Sequence, residues 1–247
     1  MSESSGPQPA AVPYVPYEDG GEDEHTTHSM RAWLRAVDSV GELRVVDGVD
    51  WQESIGRVTE MLHHTDDSPA VVFDNIPGFA PGKRILVNSL ATRRRLAVTL
   101  GLDPAIDAFG MVEAWGKLVE QTKPAPTPIV DSGPITENIV EGEDVDLFAF
   151  PTPLWHPEDG GRYIGTGCGV VTRARDGSWV NVGTYRVMIH GARHASVYIS
   201  PSKHGMEHRS AYFKAGEPMP VVVLAGPAPI QFIASALELP HGVNELE

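Results

Sequence analysis

Gly165-Thr166-Gly167-Cys168-Gly169-Val170-Val171-Thr172 and Trp179-Val180-Asn181-Val182-Gly183-Thr184-Tyr185-Arg186-Val187-Met188-Ile189 flank Arg173-Ala174-Arg175-Asp176-Gly177-Ser178. Both flanks are rich in β-branched residues, and Asp-Gly is a strong tight-turn signal. The stretch therefore predicts a β-hairpin. Downstream, Ala195–Ser200 and Pro220–Gly226 read as further strands. Glu207–Lys214 reads as a helix or long loop, and Pro229–Leu237 as a helix. These elements suit a small β-barrel with inserted helices.

Upstream the texture changes. Met30, Trp33, Leu34 and Val37 have helical spacing. Ala70-Val71-Val72-Phe73 predicts a buried strand ended by Asn75-Ile76-Pro77-Gly78, and Arg84-Ile85-Leu86-Val87 a second strand. A helical pattern over Ser89–Leu100 places Leu90, Leu96 and Leu100 inward and Arg93, Arg94 and Arg95 outward, and Asp107–Glu120 predicts another helix. This is α/β texture. Between the halves, Pro124, Pro126, Pro128 and Pro134 favour extended chain. The expected organisation is an α/β domain over 29–122, a Pro-rich linker over 123–134 and a β-rich domain over 135–247. Residues 1–28 are rich in Ser, Gly and Pro. With Glu18, Asp19, Glu22, Asp23 and Glu24 they predict a disordered acidic leader.

The 247 residues carry 19 Lys and Arg against 33 Asp and Glu, a formal net charge of −14. That balance repels nucleic acid and anionic membrane surfaces. No apolar run reaches the roughly 18 residues of a membrane helix. The one cysteine, Cys168, leaves no internal disulfide, which points to a reducing cytoplasm.

Chemistry-bearing groups concentrate in the second half. On one regular strand, Asn181 and Arg186 fall on opposite faces unless a bulge intervenes. An arginine buried in an apolar strand needs an anion, either a structural carboxylate or a ligand carboxylate or phosphate. His204 and His208 form an i, i+4 pair if helical. Such a pair either shares a metal or simply decorates a surface, and His-Gly-Met-Glu-His is not the metalloprotease motif. Trp155–Gly161 is a polar Gly-rich turn able to offer N–H groups to an anion. Cys168, in an apolar strand, reads as a packed thiol. No Gly-x-Gly-x-x-Gly follows a strand, which argues against a flavin reductase that uses a nicotinamide.

Seven stretches in order resemble the UbiD family of decarboxylases: Met30–Asp47; Val72–Gly78; Asn88–Gly101; Pro151–Gly167 with Trp155-His156-Pro157 and Asp159-Gly160-Gly161-Arg162-Tyr163-Ile164; Asn181-Val-Gly-Thr-Tyr-Arg186; Ser200–His204; and Pro240-His-Gly-Val-Asn-Glu245. The resemblance implies an N-terminal α/β domain followed by a split β-barrel that binds prenylated FMN. It implies decarboxylation of a small aromatic or α,β-unsaturated acid. It places a divalent metal, Mn2+ or Mg2+, on Asn181, His204 and Glu245, with a monovalent cation such as K+ nearby. Cofactor contacts fall on Asn181, Thr184, Tyr185, Arg186, Lys203 and His204, and the active-site arginine on Arg186. A prenyl-flavin synthase would supply the cofactor, and a homo-oligomer is expected. The family's catalytic acids lie beyond the metal-binding Glu. The chain is therefore expected to be a fragment of a longer enzyme, one subunit of a split decarboxylase, or a non-catalytic flavin-binding or assembly module. A ligand as close to a chain end as Glu245 is expected to fray.

Overall fold

The computed structural model describes residues 29–121, 123 and 126–246. The acidic leader expected over 1–28 lies outside them. The described chain is mixed α/β, built on three small sheets.

The first half opens with α1 (Met30–Ser39), capped by Ser29 Oγ, which accepts from the Ala32 N–H at 3.2 Å. Trp33, Leu34 and Val37 are buried, as their spacing predicts. There follow β1 (Leu43–Asp47), α2 (Ser54–His63), β2 (Ala70–Asp74), β3 (Ile85–Val87), α3 (Arg93–Thr99) and α4 (Ala108–Gln121). β2 is central, parallel to β1 and antiparallel to β3, and all five of its residues are buried. Residues on both of its faces therefore enter apolar layers: Ala70 and Val72 meet Trp33, Val37 and Val98, while Val71 and Phe73 meet Ile55 and Ile76.

The helix expected over Ser89–Leu100 begins only at Arg93, because Thr92 Oγ1 caps it by accepting from the Arg95 N–H. Arg95 does not face outward. It is fully buried, with Nη1 donating to Glu42 Oε2 at 2.7 Å and to the Ser68 carbonyl at 2.8 Å. Burial of the charge is supported by that ion pair and by backbone acceptors, which a local pattern cannot display.

The second half carries β4 (Arg162–Gly165), β5 (Cys168–Arg173), β6 (Val180–Gly183), β7 (Arg186–Gly191), β8 (His194–Tyr198), α5 (His204–Lys214), β9 (Val221–Ala225) and α6 (Pro229–Ala236). The predicted hairpin is β5–β6, with register symmetric about Asp176-Gly177, where Gly177 adopts φ +76°. The two flanks of the hairpin are each broken. Gly165–Thr172 divides into β4 and β5, and Trp179–Ile189 into β6 and β7. The strands then sort into two antiparallel sheets, β4-β7-β8 and β6-β5-β9. The chain changes sheets between Gly183 and Arg186, so Asn181 and Arg186 do not share a strand. Cys168 and Val170 of one sheet pack with Tyr185 and Val187 from the other in a common core. Among the described residues the two sheets do not close into a barrel.

The halves meet where α2 approaches residue 155. A Cβ on Gly56 would stand 2.1 Å from the Trp155 carbonyl oxygen, and the Leu154 N–H donates to the Trp51 carbonyl at 3.1 Å. Among the described residues no helix is long and apolar enough to cross a membrane.

Candidate functional site

The hairpin register places Thr172 directly opposite Asn181, so both side chains share one face. Asn181 is buried, and its Nδ2 lies 3.3 Å from Thr172 Oγ1 and 3.4 Å from Tyr185 Oη. Tyr185 sits in the link between sheets, its ring seated against Gly183 and Gly205. A Cβ on Gly183 would come within 2.4 Å of that ring, and one on Gly205 within 2.9 Å. Glycine at both positions is what lets the phenol pass beneath Asn181.

Glu245 arrives on the outer edge of β6. Its backbone N–H donates to the Val180 carbonyl at 3.2 Å, and its Oε2 accepts from the Val182 N–H. The Thr127 hydroxyl donates to the carbonyl of Leu246. The segment expected to fray is thus tied to an edge strand. Glu245 Oε1 remains, 4.0 Å from His204 Nδ1 at the start of α5. Burial raises the Glu245 carboxyl above its ordinary pKa, opposed by the Val182 N–H and by His204.

These groups line one cleft of about 70 Å³, which also takes in Thr184, Tyr185, Ser202 and Lys203. Lys203 is exposed and pairs with Glu238 at 3.2 Å. Among the described residues no three His, Cys, Asp or Glu side chains form a metal-holding group, so a cation here needs an amide oxygen. The spacing of Glu245 and His204 is compatible with a bound cation. Two donors bonded to a single cation at about 2.1 Å stand no more than about 4.2 Å apart, and the Glu245–His204 separation lies inside that limit. An amide oxygen, an imidazole and a carboxylate are the ligand types that Mn2+ and Mg2+ accept.

Arg186 stands elsewhere. It is exposed rather than buried, with its guanidinium 5.2 Å from the Tyr198 ring centroid. It lines a larger cleft of about 500 Å³ with Trp155, Tyr163, Thr166 and Phe232. The His204–His208 pair does not share a site, because His208 is buried with Nδ1 3.0 Å from Thr172 Oγ1. Trp179 packs edge-to-face against both histidines. In the Trp155–Gly161 turn, the His156 N–H goes to Asp159 Oδ2. Cys168 is buried, its Sγ donates to the Tyr185 carbonyl at 3.2 Å, and burial pushes the thiol's pKa up, away from nucleophile behaviour. Sequence reasoning missed Thr172 as a partner of Asn181, although counting back from Asp176-Gly177 identifies it.

Two family models match the chain: the 3-octaprenyl-4-hydroxybenzoate carboxy-lyase N-terminal domain over residues 34–115 and the 3-octaprenyl-4-hydroxybenzoate carboxy-lyase Rift-related domain over residues 128–247. Pyrrole-2-carboxylic acid decarboxylase of Pseudomonas aeruginosa is 31% identical over 204 residues, covering 80% of this chain and 41% of that protein. The vanillic acid decarboxylase of Sedimentibacter hydroxybenzoicus in closed form superposes with a TM-score of 0.82 at 22% identity, over 88% of this chain and 47% of that one. An evolved dimeric form of the UbiD-class enzyme HmfF from Pelotomaculum thermopropionicum, in complex with prFMN, gives 0.77 at 26% identity, over 89% of this chain and 49% of that one. The chain therefore spans less than half the length of each.

Proposed function

The chain belongs to the UbiD family of carboxy-lyases, and from that premise we propose that it forms the cofactor- and metal-binding portion of an enzyme that decarboxylates an aromatic or α,β-unsaturated carboxylic acid. The observation that carries this reading is the convergence of Asn181, His204 and Glu245 on one cleft, where a buried carboxylate faces an imidazole. On this reading residues 29–122 and 135–247 are two domains joined by 123–134. The two facing sheets are the family's flavin-binding split β-barrel.

Asn181, His204 and Glu245 hold Mn2+ or Mg2+. Held there, a cation would offset the charge of Glu245 and of a cofactor phosphate. Lys203 and the N-terminal N–H groups of α5 add to that anion site, as a helix N-terminus favours negative charge. Prenylated FMN, when bound, supplies the electron sink that allows CO2 to leave. Arg186, in the larger cleft, receives the substrate carboxylate through paired N–H donors and orients it. Trp155, Tyr163 and Phe232 wall that cleft and exclude water from the reacting acid. Proton delivery, and with it full turnover, is assigned to this portion acting together with sequence that its relatives carry beyond the matched region, on the same or a second chain.

The test is co-expression of the chain with a prenyl-flavin synthase, followed by absorption spectroscopy and metal analysis. A flavin-like band with stoichiometric manganese is the expected result. A colourless, metal-free protein that folds normally overturns the reading.

A further inference from the structure

The Thr172 hydroxyl is the middle of a buried polar chain. Asn181 Nδ2 lies 3.3 Å away on one side and His208 Nδ1 3.0 Å away on the other. Thr172 is 1% exposed, and Asn181 and His208 are each 3% exposed, so water does not compete for these contacts. The other Asn181 amide hydrogen faces Tyr185 Oη, which also accepts from the Gly205 N–H at 3.3 Å.

A hydroxyl donates once and accepts twice, so these distances admit more than one order of protons, and two of them present opposite ends of the Asn181 amide to the cleft. In the first, Thr172 donates to His208 Nδ1. Its lone pairs then accept from Asn181 Nδ2, and Asn181 Oδ1 is turned toward the cleft. In the second, His208 Nδ1–H donates to Thr172, whose proton passes to Asn181 Oδ1. The amide NH2 then faces the cleft and repels a cation. The cleft receives an oxygen ligand where Asn181 Nδ2 donates to Thr172, and a Thr172 proton given to His208 Nδ1 favours that arrangement.

We propose that His208 and Thr172 are positioning residues that hold the Asn181 amide with its oxygen toward the cleft, by way of a neutral His208 protonated on Nε2. Two observations select this order. Asn181 Nδ2 lies within reach of both Thr172 Oγ1 and Tyr185 Oη, which leaves the amide oxygen for the cleft, and His208 Nδ1 at 3.0 Å is the acceptor then open to the Thr172 hydroxyl proton. Burial also lowers the His208 pKa, so the imidazole is neutral and one nitrogen is free to accept.

The inference rests on Asn181 being a metal ligand, and the experiment separates the two ideas. In the full chain labelled with 15N, long-range proton–nitrogen spectra report the His208 tautomer without metal or cofactor. A proton on Nε2 with a bare Nδ1 is expected, and a proton on Nδ1 overturns the proposal whatever the variants do. Mn2+ titrations followed by electron paramagnetic resonance then compare the native chain with Asn181→Ala, Thr172→Val and Thr172→Ser. Thr172→Val is expected to weaken Mn2+ binding about 10- to 100-fold, as loss of an outer partner does, while Thr172→Ser retains native affinity. Native affinity in Thr172→Val, or equal loss in both Thr172 variants, overturns the positioning role while leaving the metal site standing. Unchanged binding in Asn181→Ala removes the metal assignment itself.

Discussion

Glu245 Oε1 stands 4.0 Å from His204 Nδ1, with the carboxylate side chain 6% exposed and the imidazole 21%. Burial raises the folded-state pKa of Glu245 above its ordinary value. A raised pKa means that folding favours the protonated acid. This contribution to stability is complete below the unfolded pKa and is lost as pH rises through the folded one. As the pH rises, the metal-free chain must ionise a desolvated carboxylate, a cost that a bound cation relieves. Mn2+ is expected to raise the melting temperature more near pH 7 than near pH 4. Glu245→Gln, which still accepts from the Val182 N–H, should remove that increment. Thermal melts at both pH values with and without Mn2+ check it, and an equal metal effect in the Gln variant would sink the assignment.

Gly183→Ala puts a methyl group 2.4 Å from the Tyr185 ring. The ring is packed between two backbones and lacks room to retreat. The cost is that of overpacking, about 1–3 kcal/mol. Displacing the ring also moves Tyr185 Oη from Asn181 and Gly205. Tyr185→Phe keeps the ring and removes only the hydroxyl, so its destabilisation should be smaller. Denaturant midpoints for the two variants should fall in that order, and a Gly183→Ala chain as stable as the native one would contradict the close packing described.

What the sequence made legible was whatever depends on neighbours along the chain. Trp33, Leu34 and Val37 announce a helix face, Ala70–Phe73 a buried strand and Asp176-Gly177 a hairpin, and each is found. The pairing of Thr172 with Asn181 follows from the same hairpin and was available to simple counting. The break between Gly183 and Arg186 was not, because a strand that passes from one sheet to another keeps its β-branched character through the change. The small cleft unites candidates from β6, α5 and the segment before Leu246, which only the resemblance had grouped. Arg95 lay beyond local reading for the same reason: its partner is 53 residues away.

That partner gives a third prediction. Glu42 Oε2 accepts from Arg95 Nη1 at 2.7 Å, while Arg94 Nη1 lies 3.5 Å from Oε1. Glu42→Ala leaves the fully buried Arg95 charge without a carboxylate. Breaking a buried pair from one side costs about 3–5 kcal/mol. A lowered urea midpoint is expected, far beyond the effect of Glu113→Ala, which removes the partner of exposed Lys117 and costs well under about 1 kcal/mol. Similar losses in the two variants would mean that Glu42 contributes no more than a surface pair.

Arg186 supplies the last. Its guanidinium is exposed over the Tyr198 ring, in the larger cleft and outside the one that holds Asn181 and Glu245. If it orients a carboxylate through paired donors, Arg186→Lys preserves the charge and loses the fork. Activity in the complete enzyme should fall on the order of 100-fold, since a small misplacement of the reacting acid is enough for that. Mn2+ affinity and melting temperature should stay native, because the side chain contributes to neither the metal cleft nor the shared core. Steady-state rates measured beside a Mn2+ titration separate the cases. A parallel drop in metal binding would make Arg186 part of the scaffold around the sheet change, and the carboxylate-orienting role would then have to pass to another residue of the larger cleft.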